Sequence, residues 1–235
     1  MRFQAPLIPG RLIRRYKRFL ADIMLDDGRE ITAHCANPGA MLGLKDPGIK
    51  VWVEPNDDPK KKLKFAWRLA ELAPGVMAGI DTSAPNKIVK EALLAQAIPE
   101  LAGYDSIKPE QKYSTNSRID FLLSHPRRRD TYVEVKNVHL HRQGDWAEFP
   151  DCVTERGTKH LHDLSEMARM GHRAVMLYVV QHTACQRFKL ADDLDPTYAA
   201  AFQTARTAGV ETLCYTTQIS PAEITLGHAI PVVVG

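Results

Sequence analysis

The chain has 235 residues, a formal net charge of +3, 44% hydrophobic and 25% charged residues, and only four cysteines. This is the composition of an ordinary soluble globular protein with apolar residues enough for one large domain or two modest ones. It excludes a membrane span, because no apolar run is long enough, and MRFQAPLIPG lacks the apolar core of a signal peptide. No C-x-x-C joins Cys35, Cys152, Cys185 and Cys214. They read as reduced and mostly buried in a cytoplasmic chain, a disulfide being the alternative. Charge is unevenly spread: residues 1–82 carry +4 (14 Lys+Arg against 10 Asp+Glu) and residues 83–235 carry −1 (17 against 18). That suits one part that grips a polyanion and another that does chemistry on it.

Residues 11–80 read as all β. RLIRRYKRFLADIML runs into Asp27–Gly28, a hairpin signal. REITAHC, GIKVWVE, LKFAWRLAEL and VMAGI follow, separated by Asn37–Pro38–Gly39, Asn56–Asp57–Asp58–Pro59 and Pro74–Gly75. Five short strands with tight turns predict a small barrel, an OB-fold or, as the other option, an SH3-like barrel. Gly39 is expected in a backbone conformation closed to other residues. Arg14, Arg15, Lys17 and Arg18, interleaved with Tyr16 and Phe19, read as a phosphate-binding cluster. Lys60, Lys61, Lys62 and Lys64 sit in a predicted loop and read as solvated.

The domain boundary is placed at residues 81–83, with domains at 1–82 and 83–235. Thr82 or Ser83 can cap a helix PNKIVKEALLAQAI. After a Pro-interrupted loop come two alternating apolar runs, IDFLL and TYVEVKNV, around SHPRRRD. So short a connection demands an antiparallel hairpin. DCVTERGTKHLHDLSEMARMG has helical spacing and stops at Gly171. Arg156, Lys159 and His160 in its first turns suit a phosphate. RAVMLYVV reads as a buried central strand, QRFKL as a short strand, residues 196–208 as a helix, VETLCYT as a strand and AIPVVV as an edge strand limited by Pro231. The whole is an α/β domain with a mixed sheet.

The hairpin carries the chemistry. A symmetric register centred on residue 127 sets Asp120 opposite Glu134, with Cβ atoms about 4.5–5.5 Å apart. Like charges so placed need a cation. Lys136, on the same face, supplies one charge; a divalent metal supplies two and prefers carboxylate oxygen. The competing reading is a solvated hairpin face with Glu134 and Lys136 side by side.

Asp120 with Glu134–Val135–Lys136 resembles the PD-(D/E)xK nuclease superfamily, although Ile119 stands where that motif has Pro. The resemblance implies Mg²⁺ or Mn²⁺ on Asp120, Glu134 and the Val135 carbonyl, Lys136 beside the reacting water, and Glu91 as a third acid on the preceding helix. RYKRFLAD, HCANPGAM, APNKIVKEAL, SRIDFLL, YVEVKNV and FPDCVTERGTKHL are similar, over nearly all the chain, to the sugar fermentation stimulation protein A family. That resemblance implies an OB-like domain followed by a nuclease-like domain, DNA as partner, no membrane, and a regulatory role in sugar, notably maltose, metabolism. Membership implies DNA binding more firmly than cleavage, so a binding protein and a metal-dependent endonuclease both stay open.

Overall fold

The computed structural model describes residues 1–114 and 117–233. Six strands open the chain: β1 (Ile8–Tyr16), β2 (Leu20–Leu25), β3 (Glu30–Cys35), β4 (Lys50–Pro55), β5 (Phe65–Ala73) and β6 (Val76–Gly79). Their order is β3-β2-β1-β4-β5-β6, and a parallel β3–β5 contact, Cys35 beside Trp67, closes the first five into an OB-like barrel. Alternation fills it: Leu12, Ile23, Val51, Val53 and Trp67 point inward and are buried. Trp67 is wholly buried, and its indole N–H donates to the Leu69 carbonyl at 2.9 Å, as a buried Trp requires.

RLIRRYKRFLADIML is two strands, not one. The chain reverses at Lys17 and Arg18, both left-handed with φ of 48° and 63°. No glycine announces that turn, so its sequence gives no signal. Gly39 is also corrected, since its φ is not positive. It is needed for space: a Cβ there would lie 2.5 Å from Asp151 Oδ2.

The second part begins with α1 (Ala84–Leu94). Ser83 holds the N-cap position, but its hydroxyl donates to Asp81 and makes no cap bond. Then come β7 (Ser106–Ser114), β8 (Ser117–Ser124), β9 (Thr131–Val138), β10 (Trp146–Phe149), α2 (Glu155–Arg169), β11 (Arg173–Val180), β12 (Arg187–Leu190), α3 (Pro196–Thr207), β13 (Glu211–Ile219), β14 (Ile224–Ala229) and β15 (Val232–Val233). The main sheet runs β14-β13-β11-β9-β8-β7, parallel across β13, β11 and β9 and antiparallel at both flanks. β11 is buried from Ala174 to Val180, as a central parallel strand must be. Val89 and Leu93 of α1 pack on one face, Leu161 and Leu164 of α2 with Phe202 of α3 on the other. β7 replaces the expected loop. It is an edge strand, which is where Pro109 can be tolerated.

The two parts are joined by backbone. Gly79 N donates to the Gln181 carbonyl, and Met77 and Thr183 exchange bonds of 2.9 Å. Met41 N donates to Asp151 Oδ2 at 3.0 Å, which is why Gly39 must let that carboxylate approach. All four cysteines are free thiols, three buried and Cys152 exposed. Among the described residues no helix is long and apolar enough to cross a membrane.

Candidate functional site

The β8–β9 ladder pairs Phe121 with Val133, Leu122 with Tyr132 and Leu123 with Thr131. One step further the same register sets Asp120 across from Glu134, as the sequence symmetry required. The ladder ends there because Asp120 intervenes with its side chain: Val135 N donates to Asp120 Oδ2 at 2.8 Å. A residue's N–H and C=O leave a strand on the same side, so the Val135 carbonyl points to this edge as well. Asn86, in the first turns of α1, donates to Asp120 Oδ1 at 2.7 Å.

Glu134 is 2% exposed. Its Oε1 accepts from Lys136 Nζ at 2.7 Å and abuts His160 Nδ1. Lys136 Nζ is also 3.0 Å from that imidazole nitrogen. Glu134 Oε2 is buried and has no hydrogen-bond partner. The two carboxylates differ electrostatically. Burial, followed by the charge of Glu134, raises Asp120 to about 6 against the pull of Val135, Asn86 and Lys136. Burial also works to raise Glu134, but Lys136 and His160 outweigh it and hold that group below its ordinary value.

A divalent cation fits these residues. An open buried oxygen on Glu134 and a carboxylate raised by burial and then by its neighbour are both relieved by added positive charge. Among the described residues no three His, Cys, Asp or Glu side chains converge as a metal-holding group. The available set is therefore two carboxylates and the Val135 carbonyl, which suits an ion such as Mg²⁺ that takes one or two carboxylates and keeps several waters.

A cleft of about 530 Å³ opens over Asp120, with Arg156 and Lys159 from α2 and Arg118 from β8 on its walls. Glu110 of β7 also borders it. The register, Pro109 with Phe121 and Gln111 with Ile119, sets Glu110 opposite Asp120, and its φ is a left-handed 55°. Sequence reasoning missed Glu110 because its strand, carrying Pro109, reads as a loop. It missed Asn86 because an Asn in a helical first turn reads as solvated.

Several expected assignments move. Glu91 is exposed and pairs with the Met1 amino group, away from Asp120. Five residues of helix separate it from Asn86, about 140° of rotation, so the two cannot face one site. His160 is buried against Glu134 at the floor of this cleft, so its Nδ1 is engaged by the acid and is not a free phosphate donor. Arg15 braces the barrel: its Nη2 donates to the Asn37 carbonyl at 2.7 Å and the Gly39 carbonyl at 3.1 Å, and its Nε to the Arg18 carbonyl. Arg14 is exposed but paired with Asp22 at 2.8 Å and laid over Tyr16. Lys17 and Arg18 are exposed at the turn. Lys159 bonds Asp163 at 2.8 Å and Ser117, leaving Arg156 as the less committed cation.

Fold and site together define a class: an OB-like barrel coupled to a mixed-sheet α/β domain with an acid–lysine cluster at the end of a hairpin. Residues 13–80 match the model described as the SfsA N-terminal OB domain, and residues 83–223 the sugar fermentation stimulation protein RE domain. The chain belongs to the sugar fermentation stimulation protein family. It is 65% identical over 233 residues to a sugar fermentation stimulation protein homolog of Dinoroseobacter shibae, covering 99% of this chain and 96% of that one. It is 66% identical to the homolog of a Jannaschia species, covering 99% and 97%. The solved structure of Pyrococcus furiosus SfsA in complex with Ca²⁺ superposes with a TM-score of 0.89 at 28% identity, over 100% of this chain and 98% of that one.

Proposed function

We propose that this chain is a DNA-binding protein that cleaves the phosphodiester backbone with a divalent cation, Mg²⁺ or Mn²⁺, held by Asp120, Glu134 and the Val135 carbonyl. The observation that carries this is the buried, partnerless Oε2 of Glu134 beside an Asp120 raised to about 6. A buried carboxylate oxygen without a partner is a strong acceptor for a cation. The Ca²⁺ complex of the Pyrococcus furiosus relative supports a cation in this family. When bound, the cation supplies Lewis acidity and a more acidic water. The chain's own residues do the rest. Asn86 and Val135 N–H orient Asp120, His160 orients Glu134, Lys136 offsets charge on the phosphoryl oxygens, and Arg156 and Lys159 hold the flanking phosphates. The relatives' name attaches the family to stimulation of sugar fermentation, and we assign this chain that regulatory role, exerted through DNA.

One observation favours a second reading, binding without turnover: Lys136 is tied to Glu134 and His160 and not aimed into the cleft. Plasmid and single-stranded DNA incubated with Mg²⁺ or Mn²⁺ separate the two. Cleavage by the wild type, lost in both Lys136→Ala and Asp120→Asn, is the expected result. DNA bound but intact under every metal overturns catalysis and leaves the binding protein.

A further inference from the structure

A separate cavity, of about 460 Å³, lies where the barrel meets α1. That is the size of a small-molecule site. Arg68 of β5 reaches it from the barrel side. Its Nε donates to Glu54 at 2.8 Å and its Nη1 to Asp81, so two carboxylates hold the guanidinium in one orientation. Among the described residues nothing bonds its Nη2. Lys87 and Lys90 of α1 line the opposite wall, and among the described residues neither pairs with a carboxylate.

Every acid in the wall is already met. Glu54 also accepts from the Gln4 and Ala5 N–H groups, Asp81 accepts from Ser83, and Glu91 pairs with the Met1 amino group. What is left over is cationic: one guanidinium nitrogen and two ammonium groups, brought to one cavity from both parts of the molecule. A fixed guanidinium flanked by lysines is a receptor for a phosphate.

A further polar group makes the ligand more than a bare phosphate. Gln181 reaches the same cavity and is wholly buried. Its Nε2 donates to Asn137 Oδ1 at 2.6 Å, while its Oε1 is buried without a partner. A buried acceptor left open calls for a donor. A phosphate dianion has none to give, so the donor is a hydroxyl on the carbon skeleton. Phe3 and the exposed Leu94 offer that skeleton apolar surface.

The helix turn at the cavity is also the one that serves Asp120. Ala84 and Lys87 line the cavity, and Asn86 between them donates to Asp120 Oδ1 at 2.7 Å. A ligand that ties Lys87 and Lys90 to Arg68 fastens this turn to the barrel.

We propose that this cavity binds a small hydroxylated phosphate monoester, of monosaccharide size, and that the ligand clamps α1 against the barrel. Binding stands independently of the proposed cleavage; only its consequence for Asp120 rests on that reading. The test uses the full chain in EDTA without DNA, titrated calorimetrically with glucose 6-phosphate, glucose and inorganic phosphate. Glucose 6-phosphate should bind saturably and at least about tenfold tighter than inorganic phosphate, and glucose should not bind detectably. Lys87→Ala with Lys90→Ala should weaken glucose 6-phosphate at least about tenfold. Lys60→Ala with Lys61→Ala, the same loss of charge elsewhere, should not. Amide hydrogen exchange across Ala84–Leu94 should slow when the ligand is bound. No binding of glucose 6-phosphate, or an affinity unchanged in the Lys87/Lys90 variant, overturns the site. Inorganic phosphate binding as tightly as glucose 6-phosphate overturns the hydroxyl contact with Gln181. Exchange unchanged in α1 overturns the clamp. The cleavage reading fails or holds separately, on the plasmid assay.

Discussion

Each half of the molecule buries a glutamate, and the two are treated differently. In the barrel, Glu54 is 6% exposed and both its oxygens are used: Oε1 accepts from Gln4 and Ala5 N–H, and Oε2 from Arg68 Nε at 2.8 Å. Arg68 reaches on to Asp81, fastening the barrel to the start of α1. In the sheet domain Glu134 is more deeply buried, yet Lys136 and His160 crowd onto one oxygen and the other has nothing. An unmet buried polar atom costs about 1–3 kcal/mol. The barrel cluster is complete and therefore structural. The sheet cluster leaves one buried oxygen unpartnered, and it is there that the proposed cation would bind.

The largest effect that could break this contrast is on chemistry. Lys136→Ala and Asp120→Asn should each lower Mg²⁺-dependent plasmid cleavage by at least about a hundredfold, with DNA affinity retained in gel-shift assays. Cleavage that survives both would place the reaction elsewhere.

Next comes stability. Arg68→Ala strands Glu54 and Asp81 without their cation and should cost about 3–5 kcal/mol in urea denaturation. Glu134→Gln takes the counter-charge from Lys136 but keeps an acceptor for it, and since Lys136 and His160 favour the charged form of Glu134 it should also destabilise, by a smaller amount of about 1–3 kcal/mol. Equal losses at the two sites would erase the distinction drawn between them.

The pH dependence sharpens it. Asp120 titrates near 6 in the folded chain against an ordinary 3.8. Across that window the folded state holds a proton that the unfolded state has released, so stability falls as pH rises through it. In EDTA at pH 7, Asp120→Asn should therefore unfold later than wild type, by about 1 kcal/mol after solvent relaxation and one lost hydrogen bond are allowed for. The advantage should vanish below pH 4. A divalent ion at a hundred times its Kd should add about 2.7 kcal/mol to the wild type and far less to this variant. A variant no more stable than wild type at pH 7 would show that Asp120 is not strained.

The smallest effects separate two residues of one helix. Asn86→Ala should reduce cleavage about tenfold, as loss of a group orienting a metal ligand does. Glu91→Gln should leave it unchanged, since among the described residues the Glu91 carboxylate pairs with the Met1 amino group and not with the Asp120 cluster. A loss at Glu91 comparable with that at Asn86 would restore the acid to the site.

The sequence by itself determined the hairpin, its register, the helix after it, the buried strand β11 and the barrel class. These depend on period and on turn chemistry, which neighbours in the chain encode. It did not disclose the turn at Lys17 and Arg18, which adopt left-handed backbone with no glycine to announce it, nor edge strand β7 with its Pro109. Above all, it could not apportion partners. Arg15 and His160 carry the charge or donors of DNA contacts, yet the tertiary structure spends them on the Asn37–Gly39 backbone and on Glu134. Asn86 displaced Glu91 because helix rotation and distant packing decide which side chain reaches Asp120. Whether a polar atom is satisfied depends on residues far away in sequence, so the open oxygen of Glu134, on which the proposed chemistry depends, was settled only by the folded chain.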